Sequence, residues 1–412
     1  MDNWKNKLFI NDNINILNGL NSESVDLIYL DPPFNSKRVY NAAIGSYAEG
    51  SSFKDTWKWE DIDEFKLDAI ASYSEDLAIF IKTISKISDE SMMSYITYMA
   101  QRVIQLHRIL KPTGSLYYHC DPTAGHFVKL MLDCIFGRKN FRNEIVWCYK
   151  SGGASKRHFA RKHDLIYFYS KEDNYFFNFQ KEKSYGQTGG GQGGKVVYYK
   201  DDKGSYSMAG IKDWWPISML STTHPERTGY PTQKPLALLD RIITSSCPEN
   251  GIVLDPFCGC ATTCVSAEHL GRRWIGIDIE DQAIDILIAR LTDGQIGAGR
   301  GLHQNFDIFK EPLQRTDVEI KNLKEPQTYK EIKQFLFEKQ EHKCLGCGKE
   351  KYIEDFDIDH IIPKSHGGGD YMENYQLLCR HCNVMKGDRP MEFLLQRVAY
   401  IESIKKANFF KN

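Results

Sequence analysis

The chain lacks any apolar run long enough to cross a lipid bilayer, because its longest hydrophobic stretches have only the length of a strand. Its first residues, MDNWKNKLFI, also lack the cationic start and long apolar stretch of a secretion signal. These two absences argue against a membrane protein and a secreted protein. We therefore expect a cytoplasmic protein with no membrane partner.

An excess of positive charge is also missing, since 53 Lys and Arg residues balance 54 Asp and Glu residues. The molecule as a whole is therefore not a basic nucleic-acid binder. Residues 142–234, however, carry 15 Lys and Arg against 9 Asp and Glu, a local balance of +6. Five of these cations and no acid lie between positions 150 and 163, which favours phosphate contact over a merely solvated loop. They are Lys150, Lys156, Arg157, Arg161 and Lys162.

Most of the 11 cysteines have no ligand-like spacing, and this scatter indicates buried thiols. The exceptions are two CxxC pairs near the C-terminal end, with 32 positions from Cys347 to Cys379. Four thiolates suit tetrahedral zinc, and small domains often depend on such a clamp. The spacing predicts a structural zinc ion on Cys344, Cys347, Cys379 and Cys382.

Strand and helix patterns alternate along the first part of the chain, which predicts a parallel α/β sheet. We predict strands over Val25–Leu30, Ser115–His119, Gly251–Leu254 and Arg273–Ile277, and helices over Ser91–Leu110, Leu236–Ser245 and Thr262–Leu270. The predicted domains are 1–295, with a variable basic region at about 143–230, then a weakly patterned linker over 296–330 and a separate unit over 331–412.

The segment DPFCGCATT, which starts at Asp255, places a glycine turn between a strand and a helix. Such turns cradle nucleotide-like ligands at the carboxyl end of a strand in α/β sheets. Asp278 follows 23 positions later, at the end of the next predicted strand, where an acid can accept both ribose hydroxyls. A purely structural turn is the alternative for this segment taken alone.

The segment Asp31-Pro32-Pro33-Phe34 follows a buried strand directly. An exocyclic base amine is a poor nucleophile because its lone pair is delocalised into the ring. A carboxylate and a backbone carbonyl that accept its two N–H bonds would localise that pair and stabilise the developing positive charge. Prolines fix the loop geometry, and Phe34 offers a face to a base rotated out of the duplex.

Together these motifs resemble the β-class DNA amino-methyltransferases, the N6-adenine and N4-cytosine family, over roughly residues 8–292. The order matches that class: DPPF, a basic region, PTQKP, then DPFCG and the segment ending at Asp278. The segment from Gly114 to Pro122 also resembles a core segment of the family. The resemblance implies a Rossmann-like methyltransferase fold with an inserted target-recognition region, and S-adenosylmethionine as cofactor. It implies that Asp31, Pro32, Pro33 and Phe34 act on the base, and that Asp255, Phe257, Gly259, Asp278 and Lys234 line the cofactor pocket.

One position departs from the family pattern. Ala261 stands where the FxGxG pattern usually has a second glycine. Alanine tolerates most backbone conformations with negative φ, so we expect cofactor binding to survive. A required positive φ would cost about 1 kcal/mol.

The C-terminal unit carries DIDHIIPK from Asp357, then a glycine-rich turn, Asn374, and Asn383 beside the last cysteine. This pattern resembles the HNH nucleases over about residues 340–392 and implies a small zinc-bound ββα domain. By resemblance, His360 is the general base, Asn374 orients the His360 ring, and Asp359 and Asn383 hold one magnesium or manganese ion. Asn383 replaces the final histidine of the name-giving pattern.

The favoured hypothesis is an adenine-N6 methyltransferase fused to an HNH endonuclease, of the restriction–modification type, with double-stranded DNA as its partner. DPPF loops are more often associated with adenine, and SPP loops with cytosine. The first alternative is an N4-cytosine methyltransferase whose HNH module only binds DNA. The second is a non-catalytic DNA-binding scaffold. The oligomeric state stays open, with a homodimer among the options.

Overall fold

The computed structural model describes residues 5–42, 46, 48–49, 52–57, 64–150, 155–185, 197–292, 306–317, 328–366, 369–370 and 372–409. The chain forms two compact units, Met1–Asp317 and Val318–Asn412. Within the described residues, no helix has both the length and the apolar character needed to span a bilayer.

The first unit contains fourteen strands and eight helices among the described residues. The strands are β1 Asn6–Ile10, β2 Val25–Leu30, β3 Arg38–Asn41, β4 Ser52–Asp55, β5 Leu110–Cys120, β6 Phe141–Cys148, β7 His163–Ser170, β8 Lys181–Tyr185, β9 Tyr198–Asp201, β10 Gly204–Gly210, β11 Trp214–Trp215, β12 Ile252–Asp255, β13 Arg273–Asp278 and β14 Phe306–Phe309. The helices are α1 Asn13–Gly19, α2 Glu64–Tyr73, α3 Glu75–Ile87, α4 Glu90–Ile109, α5 Gly125–Phe136, α6 Leu236–Ser246, α7 Thr262–His269 and α8 Gln282–Thr292.

Nine strands form the central sheet, in the order β11-β6-β7-β5-β2-β12-β13-β1-β14. The six strands from β5 to β14 run parallel, as the alternating pattern predicts. Strand β7 is antiparallel to both β5 and β6, so the sheet is mixed. The reason is local: β6 and β7 are consecutive strands, no helix lies among the described residues between them, and such neighbours pair antiparallel.

Helices cover both faces of this sheet. Along β2, Ile28 and Leu30 point into the apolar cluster with α3, α4 and α5, while Leu27 and Tyr29 point into the cluster with α6 and α7. Successive strand side chains point to opposite faces, so β2 is buried on both sides. This three-layer α/β arrangement confirms the predicted Rossmann-like fold class.

Two small sheets decorate the unit. Strands β8, β10 and β9 form an antiparallel three-stranded sheet inside the region predicted to recognise the target. Strands β3 and β4 form a hairpin just after the DPPF segment. Strand β14 lies within the stretch predicted as a linker and pairs with β1 at the sheet edge. Residues 296–305 and 318–327 of that stretch lie outside the described residues, and the domain boundaries stay a prediction.

The second unit is a ββα module flanked by two helices. Its elements are α9 Tyr329–Lys339, β15 Phe356–His360, β16 Tyr375–Cys379, α10 Arg380–Lys386 and α11 Met391–Phe409. Helix α9 begins with a capping box between Thr328 and Glu331. Strands β15 and β16 are antiparallel and pack with α10 around Phe356 and Leu377, which are fully buried. Its apolar core is small, and small cores are typical of units that depend on a metal clamp.

Candidate active sites and metal centre

Three acids meet at the carboxyl ends of neighbouring parallel strands. Asp31 follows β2, while Asp255 and Asp278 end β12 and β13. Strand β12 lies between the other two, with Val253 opposite Leu27 and with Asp255 opposite Gly276. The chain order of the strands reverses here, and α/β folds bind ligands at such a point. The topology therefore joins the DPPF and DPFCG motifs into one site.

A cavity of about 520 Å³ opens at this edge of the sheet. Both predicted halves line it: Asp31, Pro32, Pro33, Phe34, Lys234, Asp255, Phe257, Gly259 and Asp278 are all at its wall. Further wall residues that the sequence did not single out include Asn13, Tyr29, Asp55, Trp57, Tyr98 and Tyr230. The volume lies within the range of small-molecule sites.

Asp55 anchors the catalytic-loop candidate from the neighbouring hairpin. Its carboxylate accepts the backbone N–H of Asn35 at 2.6 Å and that of Ser36 at 2.8 Å. Asn35 has a left-handed backbone, with φ of 61°, and its side-chain oxygen accepts a hydrogen bond from Ser91 on α4. The loop that follows Pro33 and Phe34 is therefore held at three points.

The carboxylate of Asp31 has two different environments. Its Oδ2 accepts a hydrogen bond from the Lys234 ammonium, which also donates to the Thr232 carbonyl at 3.2 Å. Its Oδ1 is buried and has no hydrogen-bond donor among the residues that the structure describes. One acceptor is therefore fixed by a cation, and the other is left for a donor from outside the chain. Lys234 contacts Asp31 directly, a placement that the resemblance did not imply.

A buried histidine, which the sequence did not mark as a site residue, stands behind Asp31. Nδ1 of His119 lies 2.9 Å from the Tyr29 hydroxyl and 3.7 Å from Asp31 Oδ1. Its Nε2 lies 3.3 Å from Asp164 Oδ2, and its ring centroid is 5.7 Å from that of Phe34. The only sequence signal was a histidine at the end of a buried strand in the segment that resembles the family core.

Two hydrogen-bond partners of His119, Tyr29 and Asp164, have shifted pKa values. Burial and the nearby charge of Asp31 raise the pKa of Tyr29 well above its ordinary value, so Tyr29 stays a neutral hydroxyl. Burial also raises the pKa of Asp164, but hydrogen bonding to His119 and the charge of His119 outweigh it, so that the net pKa is lowered. Asp164 is therefore a carboxylate that accepts hydrogen bonds from His119 and from the Tyr149 hydroxyl, the latter at 3.0 Å.

The second half of the cavity presents two buried acids. Burial raises the pKa of Asp255 to about 7, against hydrogen bonds from Thr263 and the Phe257 backbone that lower it. Burial likewise raises the pKa of Asp278, whose carboxylate accepts the Gly259 N–H at 2.7 Å. Two acids with raised pKa values favour a ligand that brings positive charge or hydroxyl donors.

The turn between them uses left-handed backbone at two positions. Gly259 has φ of 50°, and a Cβ there would lie 2.9 Å from the Tyr230 ring, so both conformation and space require glycine. Ala261 has φ of 57° and ψ of 33° at the start of α7. The glycine of the family pattern thus serves a positive φ, and alanine adopts it here at a cost of about 1 kcal/mol.

Four cysteines come together in the second unit. The Sγ atoms of Cys344, Cys347, Cys379 and Cys382 all lie within 4.8 Å of one another, and those of Cys347 and Cys379 are 4.0 Å apart. A zinc tetrahedron with Zn–S bonds of about 2.3 Å has edges of about 3.8 Å. The Cys379 N–H also donates to the Cys344 sulfur at 3.2 Å, which stabilises a thiolate. The donor set and its spacing fit zinc.

His360 ends β15 and contacts Asp370 rather than Asn374. Its Nε2 lies 2.8 Å from Asp370 Oδ1, and its ring packs edge-on against Tyr375. The Tyr375 hydroxyl donates to the same carboxylate at 3.1 Å. Among the described residues, Asp370 therefore supplies the side-chain hydrogen bond to the His360 ring.

Asn374 holds the loop that follows His360. Its side-chain oxygen accepts the Ile362 N–H at 2.8 Å, and its amide nitrogen donates to the carbonyls of Ile362 and Gly369 at 3.1 and 2.9 Å. If Asn374 orients the His360 ring, as the resemblance implies, it does so through the backbone of this loop.

The two residues implied as ligands of a divalent ion have protein partners. Asp359 pairs with the fully buried Lys386 ammonium at 3.0 Å and accepts a hydrogen bond from Gln376 at 2.8 Å. The Asn383 amide nitrogen donates a hydrogen bond to Asp357 at 3.3 Å, and its amide oxygen is left available as a metal ligand. Carboxylate and amide oxygens are the donor types that magnesium and manganese take.

Comparisons with known proteins match two separate parts of the chain. Residues 25–289 match a family model described as DNA methylase, and residues 344–389 match one described as HNH endonuclease. The first match spans more than half of the chain. The chain therefore belongs to the DNA methylase family that includes the N6 and N4 enzymes, and it carries an HNH domain.

Individual known proteins are similar to this chain. The DNA adenine methyltransferase YhdJ of Escherichia coli (strain K12) is 29% identical over 273 residues, which cover 66% of this chain and 77% of the relative. The type II methyltransferase M.BglII of Bacillus subtilis is 26% identical over 295 residues, covering 68% and 67%. The solved structure of the PvuII DNA methyltransferase (cytosine-N4-specific) matches with a TM-score of 0.45 and 14% identity, covering 70% of this chain and 87% of that one.

Proposed function

We propose that this chain transfers a methyl group from S-adenosylmethionine to N6 of adenine in double-stranded DNA. The observation that carries the proposal is Asp31 Oδ1, a buried acceptor without a donor at the wall of a cavity that the cofactor motif also lines. Burying such an acceptor is costly unless a ligand supplies the hydrogen bond. The exocyclic amine of an extruded base is a ligand of that kind.

In this proposal the chain's own residues prepare the amine for attack. Asp31 Oδ1 and a carbonyl of the Pro32-Pro33 segment accept its two N–H bonds, and Phe34 packs against the base. Lys234 holds Asp31 in place through Oδ2. Acceptors fixed in advance stabilise the charge that develops on nitrogen without reorganisation.

The other half of the cavity would hold the cofactor. S-adenosylmethionine, when bound, supplies a methyl group activated by its sulfonium. Asp278 would accept the ribose hydroxyls of the cofactor, and Asp255 would face its cationic part. Phe257 and Gly259 would shape the turn beside the cofactor. The raised pKa values of the two acids support a ligand with these groups.

Adenine is favoured by the carboxylate in the DPPF loop and by the similarity to an enzyme named as an adenine methyltransferase. Digestion of plasmid DNA from cells that express the chain, followed by mass spectrometry of its nucleosides, tests the choice. N6-methyladenine above the level of a strain with an empty vector supports the proposal. N4-methylcytosine instead would show that the chain methylates cytosine.

We further propose that the second unit is a zinc-stabilised HNH endonuclease. The cysteine cluster would hold zinc, His360 would activate water, and Asp359 and Asn383 would bind magnesium or manganese. The Asp370 carboxylate next to His360 Nε2 supports the role of His360 as a base. A carboxylate that contacts one ring nitrogen fixes the tautomer of the histidine, so that the other nitrogen can accept a proton.

Nicking of unmethylated plasmid tests the nuclease proposal. We expect cleavage that requires Mn²⁺ or Mg²⁺ and disappears in His360→Ala. The matched control is His366→Ala, an exposed histidine of the same unit, which should keep activity. Intact plasmid with every ion, together with retained DNA binding, would leave the module as a DNA-binding element only.

A further inference from the structure

Residues 155–162, the described segment that leads into β7, combine a fully exposed aromatic ring with a cluster of cations. The ring of Phe159 is 99% exposed, the highest value among the large apolar side chains of the described residues. Lys156, Arg157, Arg161 and Lys162 surround it in sequence, and residues 155–163 contain no acid. A single exposed phenylalanine needs no explanation by itself. Here the neighbouring cations and the position of the segment indicate a functional role for the exposed ring.

The base of this segment lies beside the catalytic half of the cavity. The Tyr149 N–H donates to the Lys162 carbonyl at 3.1 Å, and the Tyr149 hydroxyl donates to Asp164. Asp164 in turn contacts His119, which lies next to Asp31. Two side-chain contacts therefore connect the end of the segment to the candidate catalytic carboxylate. Phe159 precedes Asp164 by five residues, at most about 17 Å of extended chain.

The N-terminal part of the segment has local order. The hydroxyl oxygen of Ser155 accepts the backbone N–H groups of Arg157 and His158 at 3.2 and 3.3 Å, and it lies 3.0 Å from His158 Nδ1. Hydroxyl-to-backbone bonds of this kind stabilise a turn. The turn fixes the residues that lead to Phe159 and leaves the ring free of contacts in the described structure.

We propose that Phe159 is a wedge that enters duplex DNA and fills the gap left when the target base is extruded toward Asp31. Chemistry on a base amine requires the base to leave the stack, and this costs unstacking and unpairing energy. Apolar side chains inserted between base steps compensate for that cost. The neighbouring cations would bind phosphates on either side of the gap. The inference rests on the proposed function, because it assumes that Asp31 acts on an extruded base.

A substrate series separates a wedge from an ordinary DNA contact. The site found in modified plasmid DNA is placed in a short duplex, either fully paired or with an abasic residue opposite the target. We expect Phe159→Ala to lower the methylation rate on the paired duplex by about 10- to 100-fold, and on the abasic-opposed duplex by less than about 3-fold. A 2-aminopurine at the target position should also show less fluorescence increase with the variant.

Tyr73→Ala is the matched control. Tyr73 is also an exposed aromatic residue, at 45%, but it ends α2, outside residues 143–230 and away from the cavity wall, so its loss should change neither rate by more than about 2-fold. Phe159→Leu should retain most activity, since an aliphatic wedge also fills a gap. Equal losses on both duplexes for Phe159→Ala, or no loss on either, would overturn the wedge. Failure of the unmodified chain to methylate any duplex would instead overturn the proposed function.

Discussion

Lys234 and Asp31 form an ion pair that joins two motifs 203 positions apart in the chain. Both side chains lie at the wall of the cavity, and Lys234 is only 8% exposed. A charge-assisted hydrogen bond in such a place fixes one carboxylate oxygen and leaves the other without a partner among the described residues. In the proposed function, Lys234 therefore belongs to the base-binding half of the site as much as to the cofactor half.

The pair predicts a specific defect. Lys234→Met removes the counter-ion of Asp31, so the carboxylate loses its orientation. We expect single-turnover methyl transfer to slow by about tenfold or more. Lys86→Met, at an exposed lysine of α3 outside the cavity, is the control and should transfer at the rate of the unmodified chain. A Lys234→Met rate equal to that of the control would show that the pair has no role in transfer.

His119 predicts a loss of both stability and rate. His119→Ala deletes a fully buried ring that contacts Tyr29, Asp164 and Phe34, so the free energy of unfolding should fall by about 2–4 kcal/mol. Transfer should slow further than this destabilisation explains at a temperature where the variant is folded. Urea unfolding and single-turnover rates measure the two effects. Added imidazole should restore part of the rate, and restoration by pyrazole to the same degree would reduce His119 to a packing role.

Asp255 predicts proton release on cofactor binding. With a pKa of about 7, it is largely protonated at pH 6, and a cationic ligand stabilises the carboxylate. Binding at pH 6 should therefore expel up to about one proton, and affinity should weaken as the pH falls below 7. Calorimetry in two buffers of different ionisation enthalpy measures the release. Asp255→Asn should release none, and equal release from both proteins would place the proton on another group.

The cysteine cluster predicts that metal removal acts on one unit alone. The intact chain should contain about one zinc ion, and a chelator should unfold the second unit because its apolar core is small. Cys347→Ser should lose the metal, whereas Cys134→Ser, at an exposed cysteine of the first unit, should keep it. Metal analysis and proteolysis report these outcomes. A zinc content unchanged in Cys347→Ser would refute the four-cysteine site.

The sequence predicted those parts of the fold that depend on local patterns. The strand Val25–Leu30 is confirmed at both ends, and the helix predicted over Ser91–Leu110 is observed at Glu90–Ile109. Continuous apolar runs and apolar residues at helical spacing mark such elements. The strand predicted at Ser115–His119 is observed at Leu110–Cys120. The prediction was too short because Pro112 and Gly114 indicated a turn, whereas the chain there already lies in the sheet.

What the sequence could not predict depends on non-local pairing. Nothing local shows that β2 lies beside β12, which brings Asp31 to Asp255. The same holds for Asp55, which anchors the DPPF loop, and for Asp370, which contacts the His360 ring. These are single polar residues in loops or short strands, and their partners depend on tertiary structure.

The central claim is tested most directly by single-turnover transfer of a labelled methyl group from S-adenosylmethionine to duplex DNA, with the intact chain and with Asp31→Asn. Asparagine keeps the shape of the side chain but removes the charge that stabilises the amine. The account predicts transfer by the intact chain, a rate at least about 100-fold lower for Asp31→Asn, and cofactor affinity within about 3-fold. Transfer by Asp31→Asn at nearly the rate of the intact chain would contradict it.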